Sequence, residues 1–151
     1  MLPTLTPEWE EIKRAFADKY KIKFLGDANW FLGMSIVRDR KAKLLWLHQK
    51  SYAETVLEEF GMEECRGVNS PGAQTELSNQ QCPSNPAEIE QMRKIPYRQA
   101  VGSLIIMYLA NCTRPDIAHA VQLVAQFSQN PGAEHWRAVM QILRYLSSTT
   151  D

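Results

Sequence analysis

The spacing of apolar residues predicts three consecutive helices between Pro96 and Leu146. From Ile117 to Phe127, and again from Trp136 to Leu143, apolar side chains recur every three or four residues, the period of one helical face. The run Asn130-Pro131-Gly132 separates these two helices. Leu104 to Leu109, in the first helix, is apolar all round, which is typical of a helix buried from several sides. We therefore expect this first helix at the centre of a small helical core.

Capping patterns predict where two of the helices start. Thr113 and Asp116, with Pro115 between them, form an acidic variant of the capping box. Ser51 and Glu54 form a capping box for a shorter helix. Its predicted inner face consists of Ala53, Val56, Leu57 and Phe60, followed by a stop at Gly61.

The N-terminal part of the chain predicts a helix followed by strands. Thr6 caps the helix with Pro7 at its first position, and the predicted inner face is Trp9, Ile12, Phe16 and Tyr20. Between Lys19 and Phe24 basic and apolar residues alternate, the pattern of a half-buried strand with one charged face.

A β-hairpin is predicted next. Its strands are Trp30 to Val37 and Leu44 to Leu47, and Asp39 to Lys43 form a charged connection. Gly33 in the first strand indicates a bulge or the close approach of another backbone, or only relieves crowding beside the tryptophans.

The predicted fold class is α+β and mainly helical. A short N-terminal helix and a hairpin occupy residues 1–50, and a short helix with a polar linker occupies residues 51–95. The linker, from Cys65 to Lys94, is rich in Ser, Asn, Gln, Pro and Glu and predicts a mobile connection with one helical turn around Ala87 to Met92. The three-helix segment occupies residues 96–151.

Composition limits the cellular compartments in which we expect the protein. No apolar run approaches the roughly 18 residues that cross a bilayer, and the N-terminus lacks the apolar segment of a signal peptide. The three cysteines, Cys65, Cys82 and Cys112, are widely spaced and predict neither a disulfide framework nor a zinc site. We expect an intracellular protein without a membrane partner; nothing here distinguishes cytoplasm from nucleus.

Charge is segregated although the net charge is zero. Residues 13–50 carry an excess of seven positive charges, and residues 51–90 an excess of seven negative charges. Two solvated faces that happen to differ explain this as well as a basic surface for a polyanion does.

The sequence argues against a complete active site or metal site. Two-metal phosphoryl chemistry needs carboxylates that converge on a pair of ions, whereas the aspartates occur singly, and Asp116 is interpreted as a helix cap. His48, His119 and His135 share no ligand spacing with a cysteine or carboxylate. We therefore predict no catalytic residue, no metal ligand and no cofactor in this chain.

Nucleic-acid contact is the remaining functional signal. Lys and Arg neutralise phosphates, and the aromatic residues Tyr20 and Trp46 lie near several of them. Arg137, Gln141 and Arg144 form a polar stripe on the last helix, as any soluble helix also shows. The candidate nucleic-acid-binding residues are Lys21, Lys23, Arg38, Arg40, Lys41, Lys43, Arg137 and Arg144.

Short motifs in order along the chain resemble the reverse transcriptase region of Ty1/copia-type LTR retrotransposon polyproteins. In the first half these are Phe31-Leu32-Gly33-Met34, the basic hairpin, Leu47-His48-Gln49-Lys50, Tyr52 and Phe60-Gly61-Met62. In the second half they are Tyr97-Arg98, Val101-Gly102-Ser103-Leu104, Tyr108-Leu109, Thr113-Arg114-Pro115-Asp116-Ile117, His135-Trp136 and Ile142-Leu143-Arg144-Tyr145-Leu146.

The resemblance implies the end of a polymerase palm, with a primer-grip-like hairpin, followed by thumb and connection. The family's Tyr-Val-Asp-Asp motif, whose aspartates hold magnesium, is absent from the sequence. The expectation is thus a polymerase fragment, inactive by itself, that binds an RNA–DNA primer–template duplex and belongs with palm, fingers and ribonuclease H parts. The alternative is a relic or a co-opted helical interaction module that self-associates through apolar surface.

One departure from the family concerns the first of the three helices. The spacing between Gly102-Ser103-Leu104 and Tyr108-Leu109 is about two residues longer than the family's, which turns a helix by about 200°. Either the helix bulges there or Gly102 and Tyr108 face different ways.

Overall fold

The computed structural model describes residues 7–23, 25–106 and 109–150. In this part of the chain the elements are α1 (Pro7–Lys19), β1 (Trp30–Phe31), β2 (Met34–Asp39), β3 (Leu44–His48), α2 (Lys50–Glu59), α3 (Pro86–Arg93), α4 (Tyr97–Ile106), α5 (Pro115–Ala125) and α6 (Ala133–Ser148). A 3-10 turn at Asn79–Gln81 and a π-helical segment at Leu109–Thr113 lie between them. The predicted α+β, mainly helical class is confirmed.

The chain divides into two compact units between Leu47 and His48. We refer to the described residues up to 47 as the N-terminal unit and to those from 48 as the C-terminal unit. The N-terminal unit contains α1 and the sheet, apart from the last residue of β3. The C-terminal unit contains α2 to α6.

The core of the C-terminal unit lies where α6 packs on α2, α4 and α5. Its fully buried apolar side chains include Leu104, Ile117, Val139, Ile142 and Leu143. The positions of α5 and α6 and the inner face of α5 are confirmed. On α6, Val139 and Leu143 are buried as predicted, whereas Trp136 and Met140 are only partly buried.

The helix starts differ from their predicted caps. Thr113 ends the π-helical segment, and its hydroxyl donates to Gln49 Oε1 over 2.8 Å instead of capping α5. Ser51 lies within α2, where its carbonyl accepts a hydrogen bond from the Thr55 hydroxyl. Both predicted capping boxes are therefore wrong. The Thr113 hydroxyl bonds to a residue 64 positions away in the sequence, and α2 begins one residue before Ser51. Pro115 does occupy the first turn of α5 as predicted.

The first of the three helices ends in a π-helical segment. α4 stops at Ile106, and the Arg114 N–H donates to the Leu109 carbonyl five residues earlier over 2.8 Å. Of the two alternatives for the longer spacing, the bulge is the one that this π-helical segment supports. Leu104 and Leu109 are buried but Ile105 is 37% exposed, so this stretch is not covered on every side as predicted. Residues 107 and 108 lie outside the described part of the chain.

Residues 66–83, which we call the strap, run along α6 instead of forming the predicted mobile connection. Gln141 donates from Nε2 to the Ser70 carbonyl over 3.0 Å, and the Ser148 hydroxyl donates to the Val68 carbonyl over 3.0 Å. These bonds satisfy backbone carbonyls of a segment with few apolar residues. The helical turn predicted around Ala87 to Met92 is confirmed as α3.

In the N-terminal unit, the predicted inner face of α1 is exposed. Trp9, Ile12, Phe16 and Tyr20 retain between 46% and 53% of their accessible surface. The predicted strand from Lys19 to Phe24 is wrong, because α1 runs to Lys19 and residues 21–23 have no regular structure. Within the described residues, no strand pairs with this segment. Thr6 and Phe24 lie outside the described residues.

The sheet has the order β1-β2-β3, with the extended return strand predicted at Leu44 to Leu47. β1 pairs antiparallel with β2, and Phe31 lies opposite Met34. Leu32 and Gly33 form the turn between them, with φ angles of 49° and 79°. The stretch from Trp30 to Val37 is therefore two strands instead of the single strand predicted. Gly33 supplies the positive φ of a two-residue turn, not a bulge.

Candidate nucleic-acid interface

The tip of the hairpin between β2 and β3 is held by Asp39. Its Oδ1 accepts hydrogen bonds from the backbone N–H groups of Lys41 and Ala42, over 2.8 and 2.9 Å. An aspartate that bonds the backbone two or three residues ahead stabilises a turn. Lys43 closes the turn with a φ of 57° before β3 begins.

The four predicted cationic residues of the hairpin are all exposed at this tip. Arg40 is paired with Asp27, with 2.6 Å between its Nη2 and the carboxylate Oδ1. Arg38, Lys41 and Lys43 have no ion-pair partner within the described residues. The tip therefore presents three cations without an ion-pair partner in the described residues, a fourth in an exposed pair that water and salt screen, and the Asp39 carboxylate that holds the turn.

Lys21 and Lys23 lie in the same unit, in the segment that follows α1. Both are exposed. The sequence predicted them on a strand, whereas residues 21–23 have no regular structure. They add to the positive charge of the N-terminal unit without belonging to the turn.

Arg137 and Arg144 lie on α6 in the C-terminal unit and are exposed. Arg137 pairs with Glu134 one turn earlier, across the surface of the helix. Both arginines border a groove whose opposite wall is formed by strap residues Ala73, Gln74 and Thr75. The polar stripe was predictable from sequence, whereas the groove exists only because the strap docks on α6. The eight candidate residues are thus divided between two units, six in one and two in the other.

A polar cluster at the start of α5 was not predicted from the sequence. Arg114 donates from Nη2 to Asp116 Oδ2 over 2.8 Å and to the Thr149 hydroxyl over 2.6 Å, and its guanidinium lies 5.6 Å from the Tyr145 ring centroid. The hydrogen bonds from Arg114 lower the pKa of Asp116. Asp116 is therefore an ion-pair partner, not the second half of a capping box with Thr113. The opposite charges of Arg114 and Asp116, two residues apart, were the sequence feature that could have predicted this ion pair.

His135 is fully buried at the first turn of α6. Its Nδ1 accepts a hydrogen bond from the Gly132 N–H over 2.8 Å, and its Nε2 lies 3.2 Å from the Ser78 carbonyl of the strap. Burial lowers the pKa of the ring. Because one ring nitrogen accepts and the carbonyl needs a donor, the ring is neutral with its proton on Nε2.

The described residues contain no group of three or more His, Cys, Asp or Glu side chains able to hold a metal ion. Within the same residues, no helix is long and apolar enough to cross a membrane.

The chain is similar to polyproteins of transposons over nearly its whole length. It is 49% identical over 141 residues to the retrovirus-related Pol polyprotein from transposon TNT 1-94 of Nicotiana tabacum, which covers 93% of the chain and 10% of the polyprotein. It is 33% identical over 141 residues to the corresponding polyprotein from transposon RE2 of Arabidopsis thaliana, which covers 91% of the chain and 9% of the polyprotein.

A shorter part of the chain is similar to a protein of a different kind. Over 58 residues the chain is 50% identical to the secreted RxLR effector protein 161 of Plasmopara viticola, which covers 38% of the chain and 39% of the effector. No family model matches the chain. No solved structure matches it either.

Both of these long matches are to retrovirus-related Pol polyproteins from transposons. The chain spans about a tenth of the length of those two relatives.

Proposed function

We propose that this chain is part of the reverse transcriptase region of a Ty1/copia-type polyprotein, comprising the end of the palm, the thumb and the connection. The observation that carries the proposal is the 49% identity to a transposon Pol polyprotein over 93% of the chain. The ordered motifs of both halves support it, because they are the ones that resemble the polymerase part of such polyproteins.

The proposed role is to help bind an RNA–DNA primer–template duplex, not to catalyse polymerisation. The Tyr-Val-Asp-Asp motif does not occur in the sequence, and the described residues offer no carboxylate cluster that fits a magnesium pair. We therefore assign magnesium only to an intact polymerase, together with the palm, fingers and ribonuclease H parts as partners. Nucleotide incorporation by the pure chain with magnesium should be undetectable, and robust primer extension would contradict this assignment.

The surface proposed for the duplex is the hairpin tip. Arg38, Lys41 and Lys43 are exposed and have no ion-pair partner in the described part of the chain, so phosphates would meet them without first breaking a protein contact. Contacts of this kind release counterions and ignore base sequence. Binding should therefore weaken steeply with salt and should be similar for unrelated sequences.

A fluorescence-anisotropy titration with a labelled RNA–DNA hybrid, repeated at several salt concentrations, tests this role. Replacing Arg38, Lys41 and Lys43 together by Gln should reduce the magnitude of the log–log salt slope by about 3, since each phosphate contact contributes about 0.9. The matched control replaces Arg66, Arg93 and Lys94 by Gln, three exposed cations of the C-terminal unit. Equal losses in the two triple variants, or no binding by the wild type at low salt, would contradict the proposed role.

A second candidate function is a protein-interaction module without a polymerase role. The observation that favours it is the set of exposed apolar side chains in the N-terminal unit, such as Trp30, Leu45 and Trp46. Exposed apolar surface on this scale is typical of interaction sites. This candidate predicts concentration-dependent self-association in sedimentation equilibrium, weakened by Trp46→Lys. Self-association without duplex binding would favour it over the first candidate.

A further inference from the structure

His135 connects the strap to the N-terminus of α6. On one side its Nδ1 accepts from the Gly132 N–H, and on the other its Nε2 donates to the Ser78 carbonyl. The ring stacks on Phe127 with 4.0 Å between the ring centroids and an angle of 9° between the planes. Its exposed fraction is 0%, so all of its polar partners are protein groups.

The strap is packed closely at this point. A Cβ added to Gly132 would lie 1.9 Å from the Gln81 carbonyl oxygen, so the two backbones are in direct contact. The Gln81 side chain accepts from the Ser78 N–H over 3.0 Å and donates to the Glu76 carbonyl over 2.9 Å. The Ser78 carbonyl that His135 binds is thus part of a rigid turn and not of a free end.

A proton on Nδ1 is incompatible with this arrangement. The protonated nitrogen would face the Gly132 N–H, which also donates, and the ring cannot rotate to water while Phe127 and the strap cover it. The bond from the Gly132 N–H must then be lost, whereas Nε2 can still donate to the Ser78 carbonyl. A buried imidazolium with one N–H group left without an acceptor is costly. Because the Gly132 backbone is in direct contact with the strap at Gln81, water can reach this nitrogen only if the strap moves.

The charged surroundings do not compensate this cost. The hydrogen bond to the Ser78 carbonyl and the charge of Glu134 on α6 both favour the protonated ring, whereas burial opposes it and is the largest effect. Residues 78–83 of the strap and residues 127–131 of the loop before α6 contain no Asp, Glu, Lys, Arg or His, and Cys82 is their one thiol. Residues 78–83 and 127–131 therefore offer no carboxylate to the imidazolium.

We propose that His135 is a pH-sensitive latch, whose neutral ring holds the strap on α6 and whose protonation releases it. The strap also forms the wall of the groove opposite Arg137 and Arg144, so its release would open that groove. The sign follows from burial: the closed state resists protonation, and the open state, with an ordinary histidine, takes up the proton first. The closed state keeps its full stability above about pH 6.5, the ordinary pKa of a histidine, and loses stability progressively as the pH falls below that value.

Hydrogen exchange of the 151-residue chain at pH 7.5 and pH 5.0, corrected for intrinsic rates, tests the latch. The amides of Gly132, Gln81 and Cys82 should lose about tenfold or more of their protection at the lower pH, while amides of Val56 and Leu57 in α2 keep theirs. Unchanged protection of Gly132 would overturn the proposal, as would a parallel loss in α2, which means general unfolding.

Two variants separate the latch from other histidines. His135→Asn keeps an acceptor for the Gly132 N–H but has no titratable group, so the difference between the two pH values should vanish. His119→Asn removes an exposed histidine on α5 and should leave the difference unchanged. Persistence of the pH effect in His135→Asn would overturn the proposal. If that variant does not fold, the ring titration of His135 in the wild type decides, because its midpoint must coincide with the loss of Gly132 protection.

Discussion

The two units have similar apolar patterns in their sequences, but only one of them buries the apolar side chains that the structure describes. Every buried apolar side chain in the described residues lies in the C-terminal unit, whereas the described N-terminal unit contains no buried side chain. Yet α1 carries Trp9, Ile12 and Phe16 at helical spacing, much as α6 carries Val139 and Leu143. An amphipathic pattern therefore predicts which face of an element would be buried, but not whether a neighbouring element packs against that face.

The largest expected effect contrasts one leucine from each unit. Leu143→Ala removes a side chain with 0% exposure and should cost about 3 kcal/mol of the free energy of unfolding, within a range of about 2–5 kcal/mol. Leu45→Ala changes a side chain that is 58% exposed and should cost less than about 1 kcal/mol. Urea denaturation followed by circular dichroism measures both, and similar losses would remove the contrast between the units.

A second test concerns glycines within the C-terminal unit. Gly132→Ala places a methyl group against the Gln81 carbonyl and should cost about 1–3 kcal/mol, because backbone cannot yield as a flexible side chain does. At Gly72 the nearest atom to an added Cβ is the Ser70 hydroxyl oxygen at 3.5 Å, so Gly72→Ala should be close to neutral. Thermal melts of the two variants at pH 7.5 compare them directly, and a harmless Gly132→Ala would mean that the strap does not touch that turn.

The ion pair of Arg114 and Asp116 should give a smaller, pH-dependent effect. Because Arg114 lowers the pKa of Asp116, the pair stabilises the folded chain above the ordinary value of 3.8, and this stabilisation is lost as the pH falls through the lowered value. Asp116 is 38% exposed, so after solvent screening Asp116→Asn should cost about 0.5–1 kcal/mol at pH 7. The wild type and variant should converge in urea titrations near pH 2. A gap that widens toward acid would reverse the assigned sign.

The smallest expected effect is a gain in the N-terminal unit. Leu32 is 62% exposed and has a φ of 49°, a conformation that Asn tolerates better than Leu. Leu32→Asn should therefore raise the hydrogen-exchange protection of the β1–β2 pairing about twofold, while Leu25→Asn, at an exposed position without a positive φ, should not. A loss of protection in Leu32→Asn would show that the leucine side chain contributes packing at this turn.

Sequence reasoning succeeded where the determinant was local and repeated. The spacing in α5 and α6 predicted their buried faces, and the polar turn at Asp39 to Lys43 predicted where the hairpin cations would lie. It failed where a side chain had a distant alternative partner. The hydroxyl of Thr113 binds Gln49, a contact that no local motif encodes.

At the candidate nucleic-acid interface, too, sequence reasoning predicted the local features and missed those that depend on distant residues. Exposure of Arg38, Lys41 and Lys43 could be predicted from the turn, because a charged connection between two strands is seldom covered. The pair of Arg40 with Asp27 could not, since it depends on how the segment after α1 returns to the hairpin. The groove beside Arg137 and Arg144 was likewise beyond sequence reasoning, because the strap has too few apolar residues to predict a docked position.

The docked strap also determines when the C-terminal unit completes its folding. Bonds from Ser148 to Val68, from Gln141 to Ser70 and between Cys65 and Ser147 join residues 80, 71 and 82 positions apart. Contacts at such separations close large loops and slow the folding reaction. During synthesis α2 and the strap leave the ribosome long before α6, so their acidic and polar surfaces precede the helix that organises them. Closure of this core is therefore expected only after α6 has been synthesised.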